Sequence, residues 1–356
     1  MRFRTWKEGT PTLCNMPKKV VDREWYRIRS ILGYDALFYF LIGGREAGKS
    51  YATTEYFCGQ WRKYGRPFYW LRLTETSAKK LLCNNAEKLI DPDLRRKYNL
   101  NLKTKGDGVY EIMPDGSKKL MARVLALNTF YNDKGSGLFD KDFLNDPNMY
   151  YNICLDEMNR EKSEKKAFDI VYAFANQLEN LVRSTKKRMR IICIGNDLEE
   201  ASDILSCLNF LPESHGRYYL RKKRAVIDYI PLSAKYKARR QGTVADILAG
   251  DNSTFTNEQK VDKSRLYKGR LRKPLRIIKF DKSEARWFVL WDNGIVACYN
   301  KETCPPLAMR PYLAETFIPE ERDYIINLFN IRQMWFKNLM AQKKFQKELE
   351  LLKPRG

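Results

Sequence analysis

A run of eight residues has the composition and spacing of a phosphate-binding loop. Its glycines let backbone N–H groups wrap an anion, and Lys49 is placed to reach the β- and γ-phosphates of a nucleotide. The Ser50 hydroxyl suits Mg²⁺, and the helix predicted after it points its positive end at the anion. The alternative is an incidental glycine turn. The sequence predicts that ATP and Mg²⁺ bind to Gly43, Gly44, Arg45, Glu46, Ala47, Gly48, Lys49 and Ser50.

Two acids follow an apolar run later in the chain. Residues 153–155 (Ile-Cys-Leu) predict a buried strand that ends in Asp156 and Glu157. Asp156 can hold Mg²⁺, and Glu157 is placed to polarise the attacking water. A second acid favours a hydrolysing motor ATPase over a kinase or a small GTPase. The alternative is a pair of loop acids that cap a helix.

Three further residues are candidates for catalysis. Asn196 follows the apolar run 191–194 and is predicted to sense the γ-phosphate, with an ordinary strand-ending turn as the alternative. A ring ATPase also needs a cation from a neighbouring subunit to stabilise the transition state. Arg183, at the end of a predicted helix, and Lys134, in a short glycine-containing loop, are candidates for that cation. The alternative for each is a solvated surface charge.

The elements around these residues alternate between apolar strands and helices, which predicts a parallel α/β sheet covered on both faces. Residues 109–113 and 120–125 flank a turn and predict a hairpin. A basic amphipathic helix is predicted over 17–31. In the C-terminal part, an Asn-Gly turn predicts a second hairpin, and one helix from about Pro319 closes a small α+β domain.

The net charge is the most unusual feature of the composition. Among 356 residues, 66 are Lys or Arg and 43 are Asp or Glu, a net charge of +23. Such an excess indicates a polyanionic partner, nucleic acid first and anionic membrane second. The longest apolar stretch, 36–42, is too short to span a bilayer, and no signal peptide is apparent, so no membrane association is expected. Eight cysteines without a Cys-x-x-Cys pair and one histidine argue against a disulfide framework and against a zinc site.

More than half of the net charge lies in residues 216–280, which hold 18 basic and 5 acidic residues. A smaller cluster there comprises Lys235, Lys237, Arg239 and Arg240. The densest stretch is 263–276, and it predicts a nucleic-acid contact rather than a merely solvated face. We divide the chain into an ATPase domain (1–234), a basic linker domain (235–272) and a C-terminal domain (273–356). The predicted nucleic-acid residues are Lys263, Arg265, Lys268, Arg270, Arg272 and Lys273.

Three segments together resemble the DNA-packaging (encapsidation) ATPases of Picovirinae-type small podoviruses: GGREAGKSYA, LDEMNREK and VRSTKKRMRIICIGN. The resemblance is carried by motifs across residues 30–230 and is a match of layout and basicity beyond 235. It implies an ASCE, RecA-like P-loop fold with a small linker domain and a vestigial, RNase H-like nuclease domain. It also implies a ring, typically pentameric, on the portal vertex of a procapsid in the host cytoplasm. Such a ring drives double-stranded DNA inward with ATP, and its C-terminal domain meets the prohead and its RNA.

The resemblance also implies roles for individual residues. Lys49 and Ser50 match the P-loop pair, and Asp156 and Glu157 match the metal-binding and catalytic acids. Arg183 matches an arginine finger with a shift of one residue, which leaves Lys186, Lys187 or Arg188 as substitutes. Lys134 lies in an Asp-Lys-Gly stretch that resembles another lysine acting in trans.

Other functions stay open at this point. One is a terminase-like motor with an active nuclease, and another is a DNA helicase or translocase. A third is a basic assembly factor with a degenerate nucleotide site. A two-metal nuclease needs several converging carboxylates. The strand-associated acids beyond 275 are only Asp281, Glu284 and Asp292.

Overall fold

A computed structural model of the chain describes residues 25–133, 150–158, 169–182, 189–196, 198–249, 263–271, 273–280, 287–291, 295–299 and 314–352. These residues form two compact units. The first contains the described residues of 25–207 and 214–249, and the second contains 208–213 and 263–352. The division into three domains stays a prediction.

The first unit is built on a sheet of nine strands. In chain order they are β1 (Phe38–Ile42), β2 (Phe68–Arg72), β3 (Leu102–Lys105), β4 (Gly108–Ile112), β5 (Lys118–Ala126), β6 (Tyr151–Asp156), β7 (Met189–Gly195), β8 (Gly216–Leu220) and β9 (Ala225–Tyr229). The order across the sheet is β3-β4-β5-β2-β6-β7-β1-β9-β8.

Six neighbouring strands pair in parallel, in the sheet order β5, β2, β6, β7, β1 and β9. Strands β3 and β4 at one edge and β8 at the other edge pair antiparallel. The predicted parallel α/β sheet is therefore confirmed. Parallel strands with covered faces are largely apolar, as β1 is throughout and as β6 and β7 are over residues 153–155 and 191–194. Because their carboxyl ends share one edge, the residues that follow β1, β6 and β7 are brought together there.

Helices connect and cover the strands of the first unit. They are α1 (Lys49–Tyr64), α2 (Glu75–Ala86), α3 (Pro92–Tyr98), α4 (Ile170–Val182), α5 (Leu198–Cys207), α6 (Ala234–Arg240) and α7 (Val244–Ala249). Gly65 caps α1 with a φ of 64°, a left-handed conformation that favours glycine. The predicted hairpin is confirmed as β4 and β5.

The helix predicted over 17–31 is wrong in its described part. Residues 25–27 are irregular, and a 3₁₀ turn follows over Ile28–Ser30. The Tyr26 N–H donates to the Ala47 carbonyl at 2.9 Å, so the segment is held against the P-loop instead of coiling. Ile28 and Ile31 are buried in the core, which explains the amphipathic pattern without a helix.

Within its described residues, the second unit contains five strands and two helices. They are β10 (Pro274–Lys279), β11 (Trp287–Trp291), β12 (Ile295–Tyr299), β13 (Ala314–Phe317), α8 (Ile318–Asn330), β14 (Trp335–Phe336) and α9 (Leu339–Leu352). The strands form one sheet in the order β13-β10-β11-β12-β14.

Two predictions for this unit have different outcomes. The central hairpin, β11 with β12, is confirmed. The single closing helix is wrong, because strand β14 divides it and places Phe336 in the core. A likeness to an inactive nuclease stays a prediction.

Free thiols are found at Cys58, Cys83, Cys154, Cys193 and Cys207, and burial raises the pKa of the Cys154 thiol in the interior of the sheet. None of the helices in the described ranges is long and apolar enough to cross a bilayer.

Candidate active site

The predicted phosphate-binding loop joins the end of β1 to the start of α1. Gly48 caps α1 with a φ of 82°, which a residue with a side chain rarely adopts. A Cβ at Gly43 would lie 3.0 Å from Cβ of Ile230, so this glycine permits close packing against the residue that follows β9. The loop therefore presents backbone N–H groups and a helix N-terminus at one point, which is a site for an anion.

Lys49 is buried and its ammonium lies inside the loop. Its Nζ donates to the carbonyls of Gly43 at 2.6 Å and Gly44 at 2.7 Å. A buried ammonium is stabilised only by such partners or by an anion. The arrangement places a positive charge where the phosphates of a nucleotide would lie.

The two acids stand at the carboxyl end of β6, as the sequence predicts. Oδ1 of Asp156 accepts a hydrogen bond from Oγ of Ser50 at 3.2 Å. Burial raises the pKa of the Asp156 carboxyl, although the charge of Arg72 and the hydrogen bond from Ser50 act in the opposite direction. Glu157 has an exposed side chain and a φ of 56°, so the chain turns sharply there. Asp156 is therefore bonded to Ser50, whereas the side chain of Glu157 is exposed.

Arg72 belongs to this site, and sequence reasoning missed it. It ends β2, which pairs with β6, and its guanidinium contacts Glu157 and lies 3.5 Å from Oδ2 of Asp156. Burial alone would lower the pKa of Arg72, but the charges of Asp156 and Glu157 leave it raised. A cation at the end of an apolar strand indicates a residue at the edge of the sheet. Only the order of the strands in the sheet shows that this residue lies beside the acids.

We expect Arg72→Ala to lower the free energy of unfolding by about 3 kcal/mol at neutral pH, because Asp156 would keep a buried charge without its cation. The pKa of Asp156 is already raised, and losing Arg72 would raise it further. The destabilisation by the unpaired Asp156 carboxylate is therefore present above the pKa of Asp156 and is lost as the pH falls through that pKa. Urea unfolding near pH 7 and near pH 5 should show a smaller deficit at the lower pH.

Arg96 offers the matched control, because it forms an ion pair with Asp93 between two exposed side chains. Arg96→Ala should change the free energy of unfolding by less than about 0.5 kcal/mol at either pH. If the deficit of Arg72→Ala were no larger than that of Arg96→Ala, or equal at both pH values, Arg72 would not be supporting the charge of Asp156.

Helix α6 lies against the outer side of the P-loop. The Tyr236 hydroxyl donates to the Arg45 carbonyl at 2.5 Å, and Arg239 donates to the Glu46 carbonyl at 2.9 Å. Nη1 of Arg240 donates to Oε2 of Glu46 at 2.8 Å. Arg240 is buried, so it is not part of an exposed basic surface, although the sequence groups it with one. These contacts fix the loop at Glu46, whose φ is 59°.

Asn196 follows β7, the strand between β6 and β1. The preceding Gly195 carbonyl accepts a hydrogen bond from the Gly43 N–H at 3.2 Å, so Asn196 stands at the edge of the P-loop. Its role as a sensor stays a prediction.

The predicted trans cations, Arg183 and Lys134, lie outside the described residues, as do the substitutes Lys186, Lys187 and Arg188. Arg183 follows α4, and Lys134 follows the 3₁₀ segment Leu127–Asp133. The two elements pack together through a hydrogen bond from Nδ2 of Asn180 to the Phe130 carbonyl at 2.7 Å. Their trans roles stay predictions.

The predicted nucleic-acid residues differ in their surroundings. Lys263 donates to the Glu213 carbonyl, and Arg265 donates to the Phe329 carbonyl at 2.9 Å with its guanidinium over the Phe329 ring. Arg272 lies outside the described residues. Lys268, Arg270 and Lys273 are exposed, and Lys263 is exposed as well.

The residues fit a magnesium ion beside a nucleotide, because a Ser50 hydroxyl and an Asp156 carboxylate are hard oxygen ligands. Within the described residues, no group of three or more His, Cys, Asp or Glu side chains is arranged to hold a metal. Asp281, Glu284 and Asp292 lie outside those residues.

Over residues 21–263 the chain matches the family described as Podovirus DNA encapsidation protein (Gp16). Two relatives, each named DNA packaging protein, come from Bacillus phage PZA and Bacillus phage phi29. Each is 26% identical over 223 residues, which are 62% of this chain and 60% of the relative. The aligned part thus spans less than two thirds of the length of these relatives.

Two solved structures share the fold over most of the chain. A chain of the bacteriophage Phi-29 viral genome packaging motor assembly has a TM-score of 0.60 and 20% identity, covering 92% of this chain and 99% of its own. The Phi-28 gp11 DNA packaging motor has a TM-score of 0.58 and 12% identity, covering 92% and 98%. At these identities the likeness establishes the fold.

Proposed function

The chain belongs to the podovirus DNA encapsidation protein (Gp16) family, and from this premise we propose that it is an ATP-hydrolysing motor that translocates double-stranded DNA into a procapsid. The observation that carries the proposal is the convergence of the P-loop and the two acids at one sheet edge, where Ser50 and Asp156 are joined at 3.2 Å. A buried loop lysine, an acid bonded to Ser50 and an exposed acid are three of the groups that such a motor uses to hydrolyse ATP.

Each residue has a distinct task in the proposed reaction. The loop from Gly43 to Ser50 binds the phosphates with backbone N–H groups, and Lys49 neutralises their charge. Ser50 and Asp156 would hold Mg²⁺, which supplies charge neutralisation at the phosphate oxygens. Glu157 accepts the proton of the attacking water, and its exposed position gives water access. Arg72 holds Glu157 at the end of β6.

We further propose that the motor is a homo-oligomeric ring at the portal of a procapsid in the host cytoplasm, as family membership suggests. In such a ring, Arg183 or Lys134 would complete the site of a neighbouring subunit. Contacts of Lys and Arg with phosphates bind any sequence, which suits a motor that must move a whole genome. The prohead, with its RNA, would meet the second unit.

The experiment that tests this proposal is DNA-stimulated ATP hydrolysis by the full chain. The rate should rise when linear double-stranded DNA is added. Replacing the exposed cations Lys268, Arg270 and Lys273 by alanine should raise the DNA concentration needed for half-stimulation. It should also make binding less sensitive to salt, by about one unit of log–log slope for each DNA phosphate that is no longer neutralised.

A matched triple variant replaces three exposed lysines elsewhere, Lys80, Lys88 and Lys119. It should keep the half-stimulating DNA concentration and the salt slope of the wild type. If both triple variants behaved like the wild type, the basic stretch 263–273 would not contact DNA. If DNA never changed the wild-type rate, the proposed motor function would be wrong.

A further inference from the structure

A cavity of about 980 Å³ opens beside the P-loop, and the proposed reaction does not use it. Its walls come from the segment 25–32, from α1 and from α3. Five aromatic side chains line it, and two of them are substantially exposed: Trp25 at 49% and Tyr51 at 42%. Large exposed aromatic surfaces in a concave site are typical of ligand pockets. The aromatic lining residues are Trp25, Tyr26, Tyr51, Tyr56 and Tyr98.

Trp25 is held at the N-terminus of α1 by several contacts. The neighbouring Tyr26 donates its N–H to the Ala47 carbonyl at 2.9 Å and its hydroxyl to Oδ2 of Asp228 at 2.8 Å. The Trp25 ring lies so close to Gly48 that a Cβ there would come within 3.2 Å of it. The Arg239 guanidinium lies 4.2 Å from the ring centroid. The aromatic ring therefore stands directly beside the phosphate-binding loop, at a fixed position.

The cavity extends along α1 from the phosphate-binding loop. Tyr51 comes two residues after Lys49, and Glu55 comes six residues after it, a rise of about 9 Å. A nucleoside triphosphate places its base one ribose beyond the α-phosphate. When the phosphates lie in the loop, a base directed along α1 would reach the level of Tyr51 and Glu55, which line the cavity.

We propose that this cavity binds the base of the nucleotide, with Trp25 and Tyr51 as stacking residues. The inference rests on the proposed function, because it requires a nucleotide in the P-loop. Every base has a π-face that stacks on an aromatic ring, so Trp25 and Tyr51 supply affinity for the base.

The charged groups around the cavity can accept hydrogen bonds from a base. The carboxylates of Glu55 and Asp93 line it. Lys97 is paired with Oε1 of Glu55, but a carboxylate has about four acceptor positions. Adenine offers the hydrogens of its exocyclic amine, and guanine offers those of its exocyclic amine and its ring N–H, so these carboxylates can accept from either purine. Partial burial raises the pKa of Tyr51, and the negative charges of Glu55, Asp91 and Asp93 raise it further.

The test compares two ligands by isothermal titration of the full chain with Mg²⁺: ATP, and inorganic tripolyphosphate, which has no base. Trp25→Ala and Tyr51→Ala should each weaken ATP binding by about tenfold and leave tripolyphosphate binding unchanged. Trp25→Phe should recover most of the affinity for ATP.

Two control variants match the exposure of the residues tested. Trp335→Ala removes a tryptophan exposed by 41% in the second unit, and Tyr64→Ala removes a tyrosine exposed by 39% at the far end of α1. Neither lines the cavity, so both should bind ATP like the wild type.

The outcomes separate this inference from the function on which it rests. If Lys49→Ala bound both ligands like the wild type, the proposed function would fail. If Lys49→Ala lost both ligands while Trp25→Ala and Tyr51→Ala kept full ATP affinity, only the base site would be wrong. Equal weakening of ATP and tripolyphosphate in the aromatic variants would also overturn the base site, because the rings would then only shape the loop.

Discussion

Glu157→Gln should lower the rate of DNA-stimulated ATP hydrolysis by about 10³-fold, within the range for loss of a general base. Glutamine keeps the size of the side chain but cannot accept the proton of the attacking water. Glu157 is exposed at the end of β6, whereas its neighbour Asp156 is buried against Ser50. The variant should therefore still bind ATP with nearly unchanged affinity. Steady-state hydrolysis and equilibrium binding together measure the two effects.

Glu75→Gln is the control for this change, because Glu75 is an exposed acid at the start of α2 that pairs with Lys79. It should hydrolyse ATP at the wild-type rate. A wild-type rate in Glu157→Gln would remove Glu157 from the reaction. A large loss of ATP affinity in Glu157→Gln would mean that Glu157 binds the nucleotide instead.

Mixing two inactive variants should restore hydrolysis if the site is shared between subunits. Lys49→Ala lacks the loop lysine of its own site, and Arg183→Ala lacks the cation proposed to serve a neighbour. Each alone should hydrolyse ATP at least about 10²-fold more slowly than the wild type. In a mixed ring, about a quarter of neighbouring pairs would combine an intact loop with an intact Arg183. The rate of the mixture should then greatly exceed the sum of the separate rates.

The control is a mixture of Lys49→Ala with Glu157→Gln, whose changes both lie in the subunit's own site. Every site in that ring lacks one required residue, so the mixture should stay inactive. The mixture of Lys49→Ala with Arg183→Ala could also stay inactive. If hydrolysis then recovered in the mixture of Lys49→Ala with Lys134→Ala, Lys134 would be the trans residue. Recovery in the control mixture would contradict the assignment of Lys49 and Glu157 to one subunit.

The contiguous parts of the candidate site could be predicted from the sequence. The P-loop and the acid pair each follow an apolar strand within a few residues, so local pattern alone indicates their position at a strand end. Both lie at one edge because the strands are parallel. That step needs only the alternation of strands and helices along the chain.

Residues joined by strand order or by tertiary contact could not be predicted. Arg72 meets the acids because β2 is the neighbour of β6, and no local pattern states that order. Arg240 looks like part of a basic cluster, yet it is buried against Glu46. Charge counting treats a buried, paired cation like an exposed one, so it overstates the basic surface.

Amphipathic patterns led to a wrong helix prediction in two segments, for the same reason. Residues 25–31 bury Ile28 and Ile31 without forming a helix, and β14 interrupts the apolar positions after α8. In both segments, hydrogen bonds to distant backbone groups replace helical ones: Tyr26 bonds to Ala47, and Phe336 accepts from Tyr267. Such long-range partners override a local periodicity.

The most direct test of the proposed motor is protection of double-stranded DNA from nuclease inside procapsids of the encoding phage. With ATP, the wild-type chain and Glu75→Gln should protect full-length DNA, and Glu157→Gln should protect none although it still binds ATP. Protection by Glu157→Gln equal to that of the wild type would contradict the claim that hydrolysis at this site drives DNA inward.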